Sequence, residues 1–456
     1  MTNGRPSRFL LILVGLLALA VVAFAACGDG KEEATLTPTT AAGETPAPTV
    51  AARPGNVDAV IVWGAEEIDK FDAMTKPWID DTGNSLDFTS TRDINTLLTT
   101  RVAGGNPPDV AFPPALGIFR DLARDGALTP LSDCPGLEDK VRADYPQSVV
   151  DLGTVDGTLY GVAMKAGYKA NVWYNPKAFA AKGYQVPTTW DELIALANKI
   201  VADGGTPFSD AEEIGGGSGF PGSDWVQQIV INQWGPDVYD QWVAHGIPYN
   251  DDRIKQSWQM FGDIILNPDY ILGGTDKALA TRFSEGAIPL FKDPPEAYMH
   301  VMGSFDSAFI TNPELGFPEG LVAGEDFDFF PFPVINPDFP SGVTGDLNMM
   351  MMFNNDPETC SFVEWMASAD AQDIWVGLGG FTSLNTKIDL NAYPTALDRK
   401  VGEILANPNA VFRPDADDAM PSGVGGDNGA VFTGVLDFID GGNLDTILKG
   451  IEDVFP

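Results

Sequence analysis

The side chains able to do chemistry in this chain are few of some kinds and many of others. Only two histidines occur, His245 and His300, with three cysteines, Cys27, Cys134 and Cys360. Zinc and copper sites draw their nitrogen and sulfur ligands from those two residue types, so no metal centre is expected. A Ser–His–Asp arrangement needs a histidine set between a nucleophile and a carboxylate, and nothing around His300 suggests one. There is no G-x-S-x-G elbow and no phosphate-binding G-x-x-x-x-G-K motif. One G-x-G-x-x-G match runs from Gly217 to Gly222, but Pro221 lies inside it and no evident strand precedes it. It reads as a flexible loop, and no cofactor is expected. Asp415-Ala416-Asp417-Asp418 lacks the Gly and Glu spacing of a calcium loop and reads as a solvated acidic turn. With 64 Asp and Glu residues, some carboxylate pair can always be named, so glycoside hydrolysis gains no specific support.

What the chain does offer is aromatic plates beside carboxylates. Trp63 precedes Glu66 and Glu67, Trp225 follows Asp224, and Trp375 precedes Gly379-Gly380-Phe381. Sugars present apolar C–H faces and polar hydroxyl edges, which suit rings flanked by charged acceptors and donors. For any single tryptophan the alternative is ordinary core packing, so the combination carries the reading.

These residues need elements to hold them. Val57–Trp63 reads as a buried strand, followed by a helix through Phe71, Met74 and Trp78. A strand near 85–91, a helix through Leu97, Leu98 and Val102, a strand ending at Phe112 and a helix at 116–125 continue the alternation. Strand–helix alternation argues for an α/β sheet. Leu159–Met164 and Asn171–Tyr174 read as strands. Thr189 and Glu192 form a capping box, and Leu193, Ile194, Ala197, Ile200 and Val201 recur at helical spacing behind it. Helices are expected at 225–234, 253–266 and 358–368, strands at 288–291, 327–334 and 347–353, and a mostly helical tail from Pro394 to Phe455. The run Met349–Met352 reads as a buried strand.

The ordered part, about 57–456, exceeds one compact core, so two lobes are expected. The net charge of −37 becomes −39 once Arg5 and Arg8 are removed with a signal segment, and argues against nucleic acid as a partner. That segment is legible. Arg5 and Arg8 precede the apolar run Phe9–Ala26, and small residues then lead to Cys27-Gly28, as in an export signal. Ala25-Ala26-Cys27 resembles a bacterial lipobox, with Phe24 where Leu is usual, which implies lipidation of Cys27. The alternative is a retained membrane anchor, and both place the rest outside the cytoplasm. Residues 27–56, rich in Thr and Pro, read as a disordered tether after the 1–26 signal peptide. With Cys27 lipidated, Cys134 and Cys360 are left as either one disulfide or two buried thiols.

Several segments then carry a family resemblance over nearly all of 57–456. They are Gly105-Asn106-Pro107-Pro108-Asp109-Val110 with Leu122–Pro130, Asn171–Phe179, and Pro187-Thr188-Thr189-Trp190-Asp191-Glu192-Leu193. They resemble solute-binding lipoproteins of carbohydrate ABC importers, the group that includes maltose-binding protein. Asp224-Trp225, Gly235–Trp242, Phe330–Pro333, Gly345-Asp346, Gly379–Phe381 and Met420-Pro421 resemble its alpha-glucoside-binding members more closely. Where those members carry a Cys-aromatic-Met-His run, this chain has Ala297-Tyr298-Met299-His300.

The resemblance implies an α/β, two-lobed periplasmic-binding-protein fold of type II, with discontinuous lobes joined by a multi-segment hinge. The lobes are expected at 57–164 plus 288–354 and at 166–286 plus 356–456, with crossings near 164–166, 286–288 and 354–356. It implies a monomer that closes on a sugar, docks on ABC permease subunits and catalyses nothing. The cleft is expected at loops beyond strand ends. Trp63, Glu66, Glu67, Asp109, Phe112, Asp293 and Asp346 would come from the first lobe. Lys165, Tyr168, Asp224, Trp225, Gly380 and Phe381 would come from the second. The rivals are a receptor for another solute, such as a polyol or a different oligosaccharide, a secreted carbohydrate-active enzyme, and an adhesin or sensor subunit.

Overall fold

The computed structural model describes residues 55–456, except Ala65, Ala115, Pro340, Ser341, Pro408, Asn409, Ser422 and Asp427. The signal segment, Cys27 and the Thr/Pro tether lie outside the described residues, as does the side chain of Glu66. Among the described residues no helix is long and apolar enough to cross a membrane.

The first sheet grows from the alternation at the start of the chain. Strand β1 (Asn56–Ile61) is followed by the helix Glu66–Thr82, β2 (Ser85–Ser90), the helix Ile94–Ala103 and β3 (Val110–Phe112). β1 pairs in parallel with β2 and with β3. Because helices cover the sheet, β1 reads as a nearly continuous apolar run, and Val57, Ala59, Val60 and Ile61 are all buried. After the helix Leu116–Arg124 comes a short hairpin of β4 (Thr154–Val155) and β5 (Thr158–Leu159), then β6 (Gly161–Ala166). The chain then leaves this sheet. β7 (Asn171–Tyr174) is the middle strand of a second, three-stranded antiparallel sheet, with β8 (Met299–Met302) and β9 (Asp328–Phe330) at its sides.

The chain returns through β10 (Gly342–Gly345) to β11 (Leu347–Met352), which runs antiparallel between β3 and β6. The first sheet is therefore ordered β2-β1-β3-β11-β6. Helices Pro357–Met366 and Ala369–Leu378 pack against the helix Glu66–Thr82 on this lobe. β12 (Val411–Pro414) pairs in parallel with β10. The final helices Ala430–Ile439 and Leu444–Glu452 pack with Phe220–Trp234 and Asp252–Ile265 on the second lobe.

This topology moves the expected crossings. The first lies at 166–171, just beyond the expected position. The segment 286–302 is no crossing: it stays on the second lobe, where Met299–Met302 bonds to Asn171–Tyr174. Nor is 354–356 a crossing, because Asn354 donates to Asp109 Oδ1 at 2.5 Å and the helices after it remain on the first lobe. Pairing between strands far apart in sequence decides lobe membership, and local pattern does not contain it. Ile288–Phe291, read as a strand, is a 3-10 turn with Pro289 in it. Proline offers no backbone N–H to a ladder.

Three apolar groups show what holds the lobes together. Trp63, Phe71, Phe112 and Trp375 join the first strand to the helices covering it, with Trp63 centroids 5.5, 5.2 and 4.9 Å from the other three. Met349–Met352 is a fully buried strand, as its composition predicts. Cys134 and Cys360 are joined as a disulfide, with Cα atoms 5.5 Å apart, tying the turn after Leu131–Asp133 to the helix Pro357–Met366.

Candidate functional site

The crossing segments meet in one place, and buried charges gather there. Gly167 N–H donates to the Asp346 carbonyl at 3.0 Å, Lys169 N–H to the Thr344 carbonyl at 3.1 Å, and Asp415 N–H to the Gly345 carbonyl at 2.9 Å. Ala166 N–H donates to the Thr382 carbonyl at 3.0 Å. Four stretches of backbone thus run side by side. The approach is so close that a Cβ on Gly345 would lie 2.0 Å from the Gly167 carbonyl oxygen. A Cβ on Gly167 would lie 2.1 Å from Asp346 Oδ1. Glycine is a steric requirement at 345, where the neighbour is backbone, whereas at 167 the exposed Asp346 side chain could give way.

These stretches present Lys169, Asp346 and Asp415 together, and the helix Phe220–Trp234 adds Asp224. Gly219, at φ +99°, caps that helix and packs on the Phe432 carbonyl, which turns Phe220 and Asp224 toward the crossing one helical turn apart. Lys169 Nζ lies 3.0 Å from Asp415 Oδ2 and 3.8 Å from Asp224 Oδ2. It also sits 5.1 Å from the Phe220 ring centroid and 6.0 Å from that of Phe305, within the range where an ammonium is drawn to a ring face. Burial opposes the charge on Lys169. The carboxylates of Asp224, Asp415, Asp346 and Asp418 outweigh burial and hold the ammonium well above its ordinary value. Burial pushes the Asp224 carboxyl well above the usual range; Lys169 pulls it down, and Asp415, Asp346 and Asp418 push it further up.

The acidic turn 415–418 reaches solvent only at Asp418, whereas its sequence reads as a turn solvated throughout. Asp415 and Asp417 are buried, and the turn is bolted to the Phe220–Trp234 helix. Ser223 Oγ and Gln227 Nε2 donate to Asp417, while Gln227 Oε1 accepts from Ala416 N–H at 2.6 Å. Asp224 Oδ2 and Asp415 Oδ1 have no hydrogen-bond donor among the described residues, although both are buried. Buried carboxylate oxygens without donors are costly, and donors brought by a ligand would relieve these two. Asp415 lines a cavity of about 520 Å³ with Lys169, Phe220, Phe283, Phe305, Phe432 and Asp418, and Asp224 stands behind Lys169. That lies within the roughly 300–1,000 Å³ of small-molecule sites.

A second polar group stands on the first-lobe side of the same crossing. Lys165 Nζ pairs with Glu67 Oε1 at 2.8 Å and lies 5.4 Å from the Trp375 ring centroid, while Arg92 Nη2 approaches Glu67 Oε2 at 3.4 Å. Trp63 Nε1 donates to Asn348 Oδ1 at 3.3 Å.

The expected site residues therefore separate. Asp224 and Asp346 come together around Lys169, and Glu67 with Lys165 forms the smaller first-lobe group. Gly380 lies beside Lys70, and the buried Phe381 stacks on Trp375 at 5.3 Å. Trp225 is core, 3% exposed and wedged among Phe208, Phe261 and Phe332. Trp63 and Phe112 are likewise core. Asp109 is structural, its Oδ2 accepting from Asp58 N–H at 2.7 Å. Tyr168 is buried with its hydroxyl accepting from Phe332 N–H at 2.9 Å. Asp293 is exposed and is not among the residues lining the cavity. Glu66 opens its helix, and its side chain is outside the described residues. Lys169, Asp415, Asp418 and the phenylalanine wall escaped the sequence reading. One signal was available: Phe220 and Asp224 stand four residues apart behind the glycines of the G-x-G-x-x-G match, which opens a helix here and is not a flexible loop.

Two α/β lobes, with carboxylates and aromatic rings gathered where the chain crosses between them, define a two-lobed solute-binding protein of type II. The chain belongs to the bacterial extracellular solute-binding protein family, which matches residues 64–373. It is the extracytoplasmic solute-binding component of an ABC transporter. It is 38% identical over 393 residues to the osmoprotective compounds-binding protein GgtB of Synechocystis sp., covering 86% of this chain and 90% of that one. It is 33% identical over 399 residues to the alpha-glucosides-binding periplasmic protein AglE of Rhizobium meliloti, covering 86% and 84%. Among solved structures, the bacterial solute receptor AcbH shares the fold with a TM-score of 0.74 at 20% identity, over 89% of this chain and 98% of that one. Apo RafE from Streptococcus pneumoniae shares it with a TM-score of 0.70 at 16% identity, over 88% and 97%.

Proposed function

We propose that this protein captures an alpha-glucoside, of disaccharide or glucosyl-polyol size, in the cavity at Lys169 and delivers it to a membrane permease. The observation that carries the reading is the buried, donorless Asp415 Oδ1 in a cavity walled by phenylalanines, with a second such oxygen, Asp224 Oδ2, 3.8 Å from Lys169 Nζ. Sugar hydroxyls supply the missing donors, and the rings cover the C–H face. The names of the two relatives support it, since one binds osmoprotective compounds and the other alpha-glucosides. Glu67 and Lys165 would meet the ligand from the other lobe, so that the closed state alone contacts it on both sides. The reading includes no turnover, a monomeric receptor, and anchoring through lipid on Cys27.

Calorimetric titration of the purified protein with trehalose, sucrose, maltose and an alpha-glucosylated glycerol tests this. One of these is expected to bind with no product formed. Phe305→Ala is expected to weaken that binding at least about tenfold while the protein stays folded. Absence of binding to every glucoside by a folded sample, or release of glucose, would refute the reading.

A further inference from the structure

We propose that the Lys169 cavity admits uncharged hexose units and rejects hexoses carrying a phosphate or carboxylate, an inference that rests on the glucoside reading above. The charges at the cavity are unequal in number. Lys169 is its one cation among the described residues, and it is engaged by Asp415 at 3.0 Å and Asp224 at 3.8 Å. Asp346 and Asp418 add negative charge close enough to act on the same ammonium. A single ammonium therefore faces four carboxyl groups. With Asp224 left out of the count, three carboxyl groups still act on that one ammonium.

The cations across the crossing do not change this. Lys165 and Arg92 both converge on Glu67, and Lys70 Nζ donates to the Gly379 carbonyl at 3.1 Å. An anionic substituent would bring like charge beside the buried Asp415, where repulsion is weakly screened, and toward the exposed Asp418 at the cavity's edge. An ionised phosphate or carboxylate would also offer no donor to Asp224 Oδ2 and Asp415 Oδ1, which lack one. Neutral hydroxyls meet both needs. Acceptors thus select for hydrogen-bond donors and against anions, through attraction and repulsion at once.

The test uses matched pairs titrated into the purified protein: sucrose with sucrose 6-phosphate, trehalose with trehalose 6-phosphate, and maltose with maltose 6′-phosphate. The expected result is that the neutral member that binds does so at least about 100-fold more tightly than its phosphate. Binding of a phosphate within tenfold of its neutral partner, or more tightly, overturns the inference and leaves the glucoside reading standing. Failure of both members of every pair, with a normal melting transition, removes the glucoside reading and the inference with it. A second variant locates the cause. Asp346 is exposed, so Asp346→Asn does not disturb packing, and it is expected to narrow the neutral-to-phosphate ratio about fivefold. An unchanged ratio would show that the carboxylates are not its source.

Discussion

Lys169 is held by charge and has little freedom to serve otherwise. Its side chain is 13% exposed, and those of Asp224 and Asp415 are 4% and 6% exposed. Removing one member of a buried charge group leaves the others uncompensated, a loss of about 3–5 kcal/mol. Lys169→Met is expected to lose stability on that scale in denaturant titrations at pH 7. The loss should shrink in acid. Burial raises the Asp224 carboxyl above its unfolded value, so the folded state takes up a proton first as pH falls. A loss independent of pH would argue that packing of the lysine stem matters more than its charge.

His300 offers a cleaner titration. It is fully buried, its Nδ1 is 2.9 Å from the Ser209 carbonyl, and burial lowers its pKa to about 4. Asp306 Oδ2 is 4.0 Å from Nε2, yet burial raises that carboxyl well above its ordinary value. His300 is therefore uncharged at neutral pH and does not form an ion pair with Asp306. The unfolded histidine titrates near 6.5, so the folded state holds its advantage above that pH and loses it as pH falls toward 4. The loss is up to about 3 kcal/mol. Buried Asp210, raised to about 6 beside Glu212, slopes the opposite way. Comparing wild type with His300→Gln isolates the histidine. The stability difference should move in the variant's favour between pH 6.5 and 4, and a flat difference would contradict the neutral burial of His300.

At the scale of elements, the crossing depends on absent side chains. Gly345→Ala would place a Cβ 2.0 Å from the Gly167 carbonyl, in a spot where backbone and not a yielding side chain is the neighbour. A loss of about 2–4 kcal/mol is expected by thermal or chemical denaturation, together with weaker ligand binding, because the same segments carry Lys169 and Asp346. Gly117→Ala, with nothing near its Cβ, serves as the control. Elements with strong local signals were legible. The helix Trp190–Ala202 starts with the expected capping box, Thr189 accepting from Glu192 N–H and Glu192 reaching back to the Thr189 N–H. Strands β1, β7 and β11 also stand where their apolar runs place them. What was not legible depends on partners distant in sequence. Asp415 and Asp417 are polar in any local window and are buried only because Gln227, Ser223 and Lys169 come to meet them. Trp225 carries a ligand-like neighbour in sequence, but the helix turns Asp224 toward Lys169 and sets Trp225 into the core.

The whole molecule makes the site conditional on lobe position. Lys165 and Glu67 belong to the first lobe, Asp224 and Phe305 to the second, and Lys169 lies on the strip between them. A ligand touching both sides favours closure only by its extra contacts in the closed state. Two observables should therefore move together when the correct glucoside is added. Small-angle scattering should show a smaller radius of gyration, and melting should rise by a few degrees, since ligand at 100 times Kd adds about 2.7 kcal/mol. Glu67→Gln separates the two effects. It weakens the first-lobe group and leaves the Lys169 cavity intact, so ligand should still raise the melting temperature but compact the molecule less. Equal compaction in the variant would mean that closure is driven from the second lobe alone. Loss of the melting shift as well would mean that Glu67 contributes directly to affinity in the open form. The protein's charge of −37 allows a further separation. Raising salt to 0.5 M shortens the screening length to about 4–5 Å and damps repulsion between the acidic lobe surfaces. The free protein should then shift toward closure, while the contacts of a neutral ligand inside the cavity stay nearly constant.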